Sequence, residues 1–275
     1  MRKVFLLFTV LLSFGLLSAC GSSEQFDLTE GNTLTVGLEA AYAPYNWMTQ
    51  TQNEFTVPLN GQPGAYVDGY DVVVARRIAE ELNLELVIKA IDWDGLIQAL
   101  QANQIDLIIA GMSPTSERAK TVNFSNEYYR SEQVIVVQKT SSLVNATSLN
   151  DLSGKRAVAQ LGTLQNDLID QIPNVTKLTA LESYGAITQA LRSGQADLFI
   201  AELPVAQSIT AANSDLTYVA FTGENGFEVA EEDVTTAVAL RKRDTDLLEA
   251  INTVLAGISV ETRNGWMTAA LERQN

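Results

Sequence analysis

The chain contains no histidine, a single cysteine and, beyond its first residues, no long apolar run. Without histidine there is no His-based nucleophile activation, no imidazole metal ligand and no recourse to the commonest general base. One cysteine, Cys20, excludes an intramolecular disulfide. After Leu17 no segment approaches the roughly 20 apolar residues needed to span a bilayer. Positive charge is scarce as well: 18 Lys and Arg stand against 33 Asp and Glu, for a formal net charge of −15. Nucleic acids and anionic membranes call for clustered basic residues, so this balance argues against both as partners.

What is present begins with a leader. Arg2 and Lys3 precede an apolar run over 4–17, and Leu17-Ser18-Ala19 puts small residues directly before Cys20. The tetrapeptide Leu-Ser-Ala-Cys resembles a bacterial lipobox, in which the cysteine becomes the lipidated first residue. That resemblance implies a signal peptide over 1–19 and acyl chains, palmitate among them, on Cys20; a structural free thiol is the other reading. Several acyl chains make a stable tether, so the expected location is the extracellular face of the cell membrane, periplasmic in a Gram-negative source. Residues 21–32 are polar and aperiodic and read as a flexible spacer.

The rest of the chain is long enough for two domains and is organised around a repeat. ALQANQIDLIIAG over 99–111 returns in outline as ALRSGQADLFIAE over 190–202, matching Leu100 with Leu191, Asp106 with Asp197, Leu107 with Leu198 and Ile109 with Ile200. Each copy reads as a helix end, a polar turn and an apolar strand, the half-unit of a parallel sheet buried on both faces. Strands are expected over 33–38, 84–91 and 105–110, with helices over 71–82 and 93–102 between them. The order returns as strands over 156–160, 176–181 and 196–201, with helices over 164–172 and 184–192. Such β-α-β-α-β runs predict parallel strands with right-handed crossovers. Long strands over 132–139 and 235–240 read as hinges, and helices follow over 244–258 and 261–271. One lobe would then comprise 33–130 plus 234–275, with a second, 131–233, inserted in it. A Gln/Asn/Gly/Pro-rich loop over 49–63, with an alternating piece at 54–59, is long enough to cover part of a cleft.

Ligands in open α/β sheets sit beyond the carboxyl ends of the strands. One repeat delivers Gly111, Ser113 and Arg118 there, and the other delivers Glu202. A cation and an anion at equivalent strand ends suit a small zwitterion. A guanidinium matches a carboxylate with two planar donors, and free amides at the Gly162-Thr163 turn could meet the same anion. Taken singly, each has a bland reading: Arg118 as a solvated residue in a polar run, Glu202 and Glu39 as acids beside helix starts, and Tyr42, Tyr45, Trp47 and Tyr70 as packing.

Together the pieces resemble the family 3 extracellular solute-binding proteins of ABC importers for polar amino acids. The matching stretches are Thr35-Val36-Gly37 with Tyr42-Ala43-Pro44-Tyr45, Gly69-Tyr70-Asp71-Val72, Asp92-Trp93-Asp94-Gly95-Leu96-Ile97, Ile105 to Ser113, Thr115 with Glu117-Arg118-Ala119, Phe124-Ser125 with Tyr128-Tyr129, Leu152-Ser153-Gly154-Lys155 and Gln160 with Gly162-Thr163. The resemblance implies an α/β, two-lobed periplasmic-binding-protein fold of type II, two parallel-sheet lobes joined by two hinge strands and closing on one amino acid. It implies that Arg118 grips the α-carboxylate with amides around Ser113 and Thr163. The Ser113 hydroxyl, the Gly111 backbone and Glu202 would take the α-ammonium. Tyr42 and Tyr70 would flank the ligand side chain, Glu39 would face its far end, and Gln160 would complete the contact set. No catalytic residue, cofactor or metal is implied. The implied partners are a permease and an ATPase, with the protein a monomer that meets the membrane through lipid alone. Familiar members carry aspartate where this chain has Glu202 and often where it has Glu39, and the 49–63 loop is longer than theirs. A carboxylate at Glu39 favours arginine, lysine, histidine or glutamine over glutamate or aspartate. The alternative on the same fold is a cyclohexadienyl-dehydratase-like enzyme using Glu202 or Glu39 as general acid.

Overall fold

Each copy of the repeat supplies the central strand of a five-stranded sheet in the computed structural model, which describes residues 24–221 and 223–274. The first sheet runs in the order Glu85–Ala90, Thr33–Leu38, Leu107–Ile108, Thr235–Leu240, Asn123–Arg130. The second runs Thr176–Lys177, Arg156–Val158, Leu198–Glu202, Gln133–Gln138, Leu216–Val219. The first three strands of each sheet are parallel, and the fourth is antiparallel to both its neighbours. The sheets are therefore mixed rather than parallel. In each, the antiparallel place is taken by the strand on which the chain arrives from the other sheet.

The chain crosses between the sheets twice, side by side. Asn123–Arg130 leads through Ser131 into Gln133–Gln138, and the return enters Thr235–Leu240. At the crossing the Ser131 amide donates to the Val234 carbonyl at 2.9 Å, and Thr235 stands opposite Arg130. Neither long strand spans both sheets; the turnover sits in the few residues beside them.

Burial on both faces explains the apolar composition of the central strands. Leu198–Glu202 is buried throughout, and Val134 and Val136 pack into one core cluster while Ile135 and Val137 pack into another. The repeated aspartates hold the strand starts. Asp106 accepts from the Thr35 amide at 3.0 Å and from Arg241 Nη2 at 2.9 Å. Asp197 accepts from the Arg156 amide at 2.8 Å and from its Nη2 at 2.7 Å, which holds its carboxyl below the usual range. The two matched acids do one structural job.

A four-stranded antiparallel sheet of Ala41–Tyr42, Asn46–Thr49, Tyr66–Asp68 and Val57–Pro58 is added to the first lobe. It requires glycine at position 69: with φ at +139°, a Cβ there would lie 2.1 Å from the Tyr45 carbonyl oxygen. The 49–63 loop is fastened along the sheet edge, and none of its residues lines the cavity between the central strands. Arg76 donates to the carbonyls of Glu54, Phe55 and Thr56 at 2.6–3.1 Å, and the Asn60 amide donates to Ile88 O at 2.9 Å. The described part of the expected spacer, 24–32, is likewise anchored. The Phe26 amide donates to Asp244 Oδ1 at 3.0 Å, and Arg243 Nε donates to the Glu24 carbonyl at 3.0 Å. The leader and Cys20 lie outside the described residues, among which no helix is long and apolar enough to cross a membrane.

Candidate ligand-binding site

The carboxyl ends of the two central strands face each other across a small cavity. Glu39, Tyr42, Trp93, Gly111, Ser113 and Arg118 line it from the first lobe, and Gln160, Thr163, Leu164, Gln165, Tyr184 and Glu202 from the second. The space between them is about 20 Å³, room for roughly one water. Side chains from the two walls meet directly.

Three of these meetings involve residues singled out in the sequence. The Tyr42 hydroxyl donates to Glu202 Oε2. Gln160 Nε2 donates to Glu39 Oε1 at 3.0 Å while also holding the Glu182 carbonyl at 2.9 Å. Arg118, half-buried, donates from Nη1 to the Ser113 carbonyl at 2.8 Å and from Nη2 to the Gly162 carbonyl at 3.1 Å. Its guanidinium carbon lies 5.1 Å from the centre of the Trp93 ring, whose Nε1 also reaches Gly162 O at 3.3 Å. Both hydrogen bonds from Arg118 end on neutral carbonyls, and Asp233 and Asp167 act on it through space without forming an ion pair. Thr163 caps the helix Leu164–Leu168, accepting from the Asn166 amide at 3.2 Å, and its hydroxyl donates to Gln160 O at 2.8 Å. Gly111, with φ at +62°, allows Tyr42 to approach: a Cβ there would meet the Tyr42 ring at 2.9 Å.

Tyr70 is not part of this cavity, contrary to the sequence expectation. It opens the helix Tyr70–Glu81, is fully buried, and its hydroxyl donates to the Tyr128 carbonyl at 2.7 Å. The aromatic wall is formed instead by Tyr42, stacked on Tyr45 at 5.3 Å and against Tyr184 at 5.0 Å, together with Trp93. Trp93, Tyr184 and Gln165 are lining residues that the sequence did not identify. The signal lay in the repeat: Trp93 and Tyr184 each begin the helical turn that follows the second strand of their unit.

Desolvation dominates the electrostatics. Burial pushes the Glu202 carboxyl up to about 8. It pushes Glu39 up to about 7, with Asp92 and Asp94 adding to the rise and the Gln160 hydrogen bond opposing it. Asp71, fully buried behind the site, rises to about 6 from the same cause. Burial lowers Arg118 to about 10, which leaves it protonated at neutral pH. Buried carboxyls that hold protons are groups for which a cationic partner would supply the missing compensation.

These raised values set a pH dependence of stability. Between the carboxylate range of an unfolded chain and pH 8 the folded protein binds more protons than the unfolded one, so stability falls as pH rises through that window. The free protein is expected to unfold at its highest temperature near pH 5 and progressively lower toward pH 8.5, with Glu202→Gln flattening the slope. A midpoint that climbs steadily to pH 8.5 in a calorimetric scan would contradict these assignments.

Comparison with known proteins identifies the family. A model of the bacterial extracellular solute-binding proteins, family 3, matches residues 34–272. The arginine-binding extracellular protein ArtP of Bacillus subtilis is 30% identical over 260 residues, covering 93% of this chain and 92% of its own. A probable histidine-binding protein of Campylobacter jejuni is 28% identical over 259 residues, 92% of this chain and 91% of its own. The crystal structure of an amino acid ABC transporter substrate-binding protein of Streptococcus pneumoniae, bound to L-arginine, superposes with a TM-score of 0.76 at 28% identity, over 88% of this chain and 94% of that one. All three are named as binding proteins, not enzymes. The mixed α/β sheets are those of type II periplasmic-binding-protein neighbours, and the chain belongs to the bacterial extracellular solute-binding proteins of family 3.

Proposed function

We propose that this protein captures an L-amino acid with a cationic or amide side chain, arginine first and then lysine, histidine or glutamine, and delivers it to the permease and ATPase of an ABC importer. In this reading residues 33–130 with 234–275 form one lobe and 131–233 the other, and the lobes close on the ligand. Cys20 carries the lipid that holds the protein at the membrane. The observation that carries the reading is the charge of the cavity lining, where Arg118 shares one small space with Glu202 and with Glu39, whose carboxyl also feels Asp92 and Asp94. Arg118 meets the α-carboxylate, Glu202 with Ser113 and the Gly111 backbone meets the α-ammonium, and Glu39 with Gln160 meets the side-chain terminus. Tyr42 and Trp93 cover the apolar stem. Entry of the ligand separates Tyr42 from Glu202 and Gln160 from Glu39, replacing neutral partners by charged ones.

Proton release tests this directly. Glu202, at about 8, is largely protonated at pH 7 and must ionise to hold an ammonium. Calorimetric titration with L-arginine at pH 7, repeated in buffers of different ionisation enthalpy, is expected to show roughly one and a half protons released per ligand, about one from Glu202 and about half from Glu39, with affinity rising from pH 6 to pH 8. No proton release, with affinity flat across that range, would contradict the Glu202 assignment.

A further inference from the structure

Behind the cavity wall lies a buried polar chain that touches no cavity space, and its connections run to two separate parts of the site. Asp71 is 0% exposed and has both carboxylate oxygens engaged: Oδ1 accepts from the Tyr128 hydroxyl at 2.7 Å and Oδ2 from Asn46 Nδ2 at 2.8 Å. The Tyr128 hydroxyl in turn accepts from the Gly111 amide at 3.0 Å, at the end of the central strand. Asn46 Oδ1 accepts from the Ala40 amide at 2.7 Å, next to Glu39. Both residues whose amides donate into the chain are in the left-handed region, Gly111 with φ at +62° and Ala40 at +56°. For a residue with a Cβ, as at Ala40, that conformation costs of order 1 kcal/mol and persists only where its surroundings impose it. Asn46 is 0% exposed and so is Tyr128. The helix needs no buried acid in its first turn, since an exposed one would serve its dipole equally well.

We propose that Asp71 is a positioning residue for ligand selection, orienting the Gly111 strand end through Tyr128 and the Glu39–Ala40 corner through Asn46. The proposal rests on the transport reading above and assigns each arm a distinct consequence. The Tyr128 arm sets the part of the wall that meets the α-ammonium. The Asn46 arm sets the direction of the Glu39 carboxylate and with it the preference for a charged side-chain terminus. A buried network that merely stabilised the lobe would alter affinity for all ligands alike.

Calorimetry with three probes separates these cases: L-arginine, its desamino analogue 5-guanidinopentanoate, and uncharged L-citrulline, each titrated well below the unfolding midpoint. Tyr128→Phe is expected to shrink the preference for arginine over the desamino analogue at least tenfold while leaving arginine over citrulline within twofold. Asn46→Ala is expected to do the reverse. Asp71→Asn keeps the shape but cannot serve both donors, so it should reduce both ratios, and it replaces either variant that fails to fold. A wild-type protein that binds none of the three probes overturns the transport reading and this proposal with it. A wild type that binds while the variants keep both ratios within twofold overturns this proposal alone.

Discussion

Replacing Arg118 by alanine is expected to weaken binding of L-arginine by about 10²–10³-fold or more, corresponding to ~3–5 kcal/mol, the cost of leaving a desolvated charge without its partner. The size follows from where the guanidinium sits. Its two hydrogen bonds hold it between the Ser113 and Gly162 carbonyls of opposite lobes, with the Trp93 ring close by. A carboxylate arriving there meets a charge that burial has already stripped of much of its water. Arg118→Lys should recover only part of the loss, because an ammonium offers a point charge where the guanidinium offers a planar pair of donors. The free protein should lose about 1–3 kcal/mol of stability in Arg118→Ala, through the two hydrogen bonds and the Trp93 contact, and less in Arg118→Lys. Calorimetric titration of the three proteins checks this, and undiminished binding by Arg118→Ala would remove the α-carboxylate from this corner of the cavity.

Exchanging Glu39 for glutamine is expected to reduce the preference for L-arginine over L-citrulline by about tenfold or more, in line with the 1.5–3 kcal/mol of a hydrogen bond to a charged group. Binding of L-glutamine should change much less. Glu39 lies at the end of the strand Thr33–Leu38, half-buried, with Gln160 Nε2 on Oε1. A glutamine there keeps that contact through its amide oxygen and loses only the charge. Asp92 and Asp94 remain nearby and keep the mouth attractive to cations, so association should slow less than dissociation quickens. Competition titrations of both ligands against wild type and variant give the ratio. An unchanged ratio would mean that the side-chain terminus lies elsewhere.

The parts of the molecule legible in the sequence are those where one physical requirement governs many adjacent residues. Strands buried on both faces must be apolar, so the repeat at 99–111 and 190–202 disclosed the two central strands, and the ligand rule for strand ends then led to Arg118 and Glu202. Helix periodicity located Tyr184–Arg192 to the residue. The strand Asn123–Arg130 escaped notice because its polar sequence carries little alternation and its partner, Thr235–Leu240, lies more than a hundred residues away. The helix Leu203–Ala212 has buried residues scattered around it, which hides the amphipathic period.

At the site, the sequence could name residues that carry charge but not those whose role depends on packing. Tyr70 and Tyr42 look alike in sequence, yet the amide of Tyr70 is fixed to the Pro44 carbonyl and its ring turns into the core, while Tyr42 follows the Glu39–Ala40 corner into the cavity. Polarity suggested that 21–32 was a spacer. It could not show that Asp244 and Arg243, more than two hundred residues on, hold Phe26 and Glu24 in place. In the sequence Asp71 stands out only as part of the Gly69-Tyr70-Asp71-Val72 stretch, because its partners Asn46 and Tyr128 come together only in the folded lobe.

Thermal unfolding of the protein against each of the twenty amino acids tests the central claim most directly. A ligand at 100 times its dissociation constant adds about 2.7 kcal/mol to the folded state, enough to raise the midpoint by several degrees in a chain of this size. A rise with L-arginine, accompanied by lysine, histidine or glutamine and absent with glutamate and aspartate, is the expected result. A midpoint that no amino acid moves, or that only the acidic ones raise, would contradict capture of a cationic or amide amino acid between Arg118, Glu202 and Glu39.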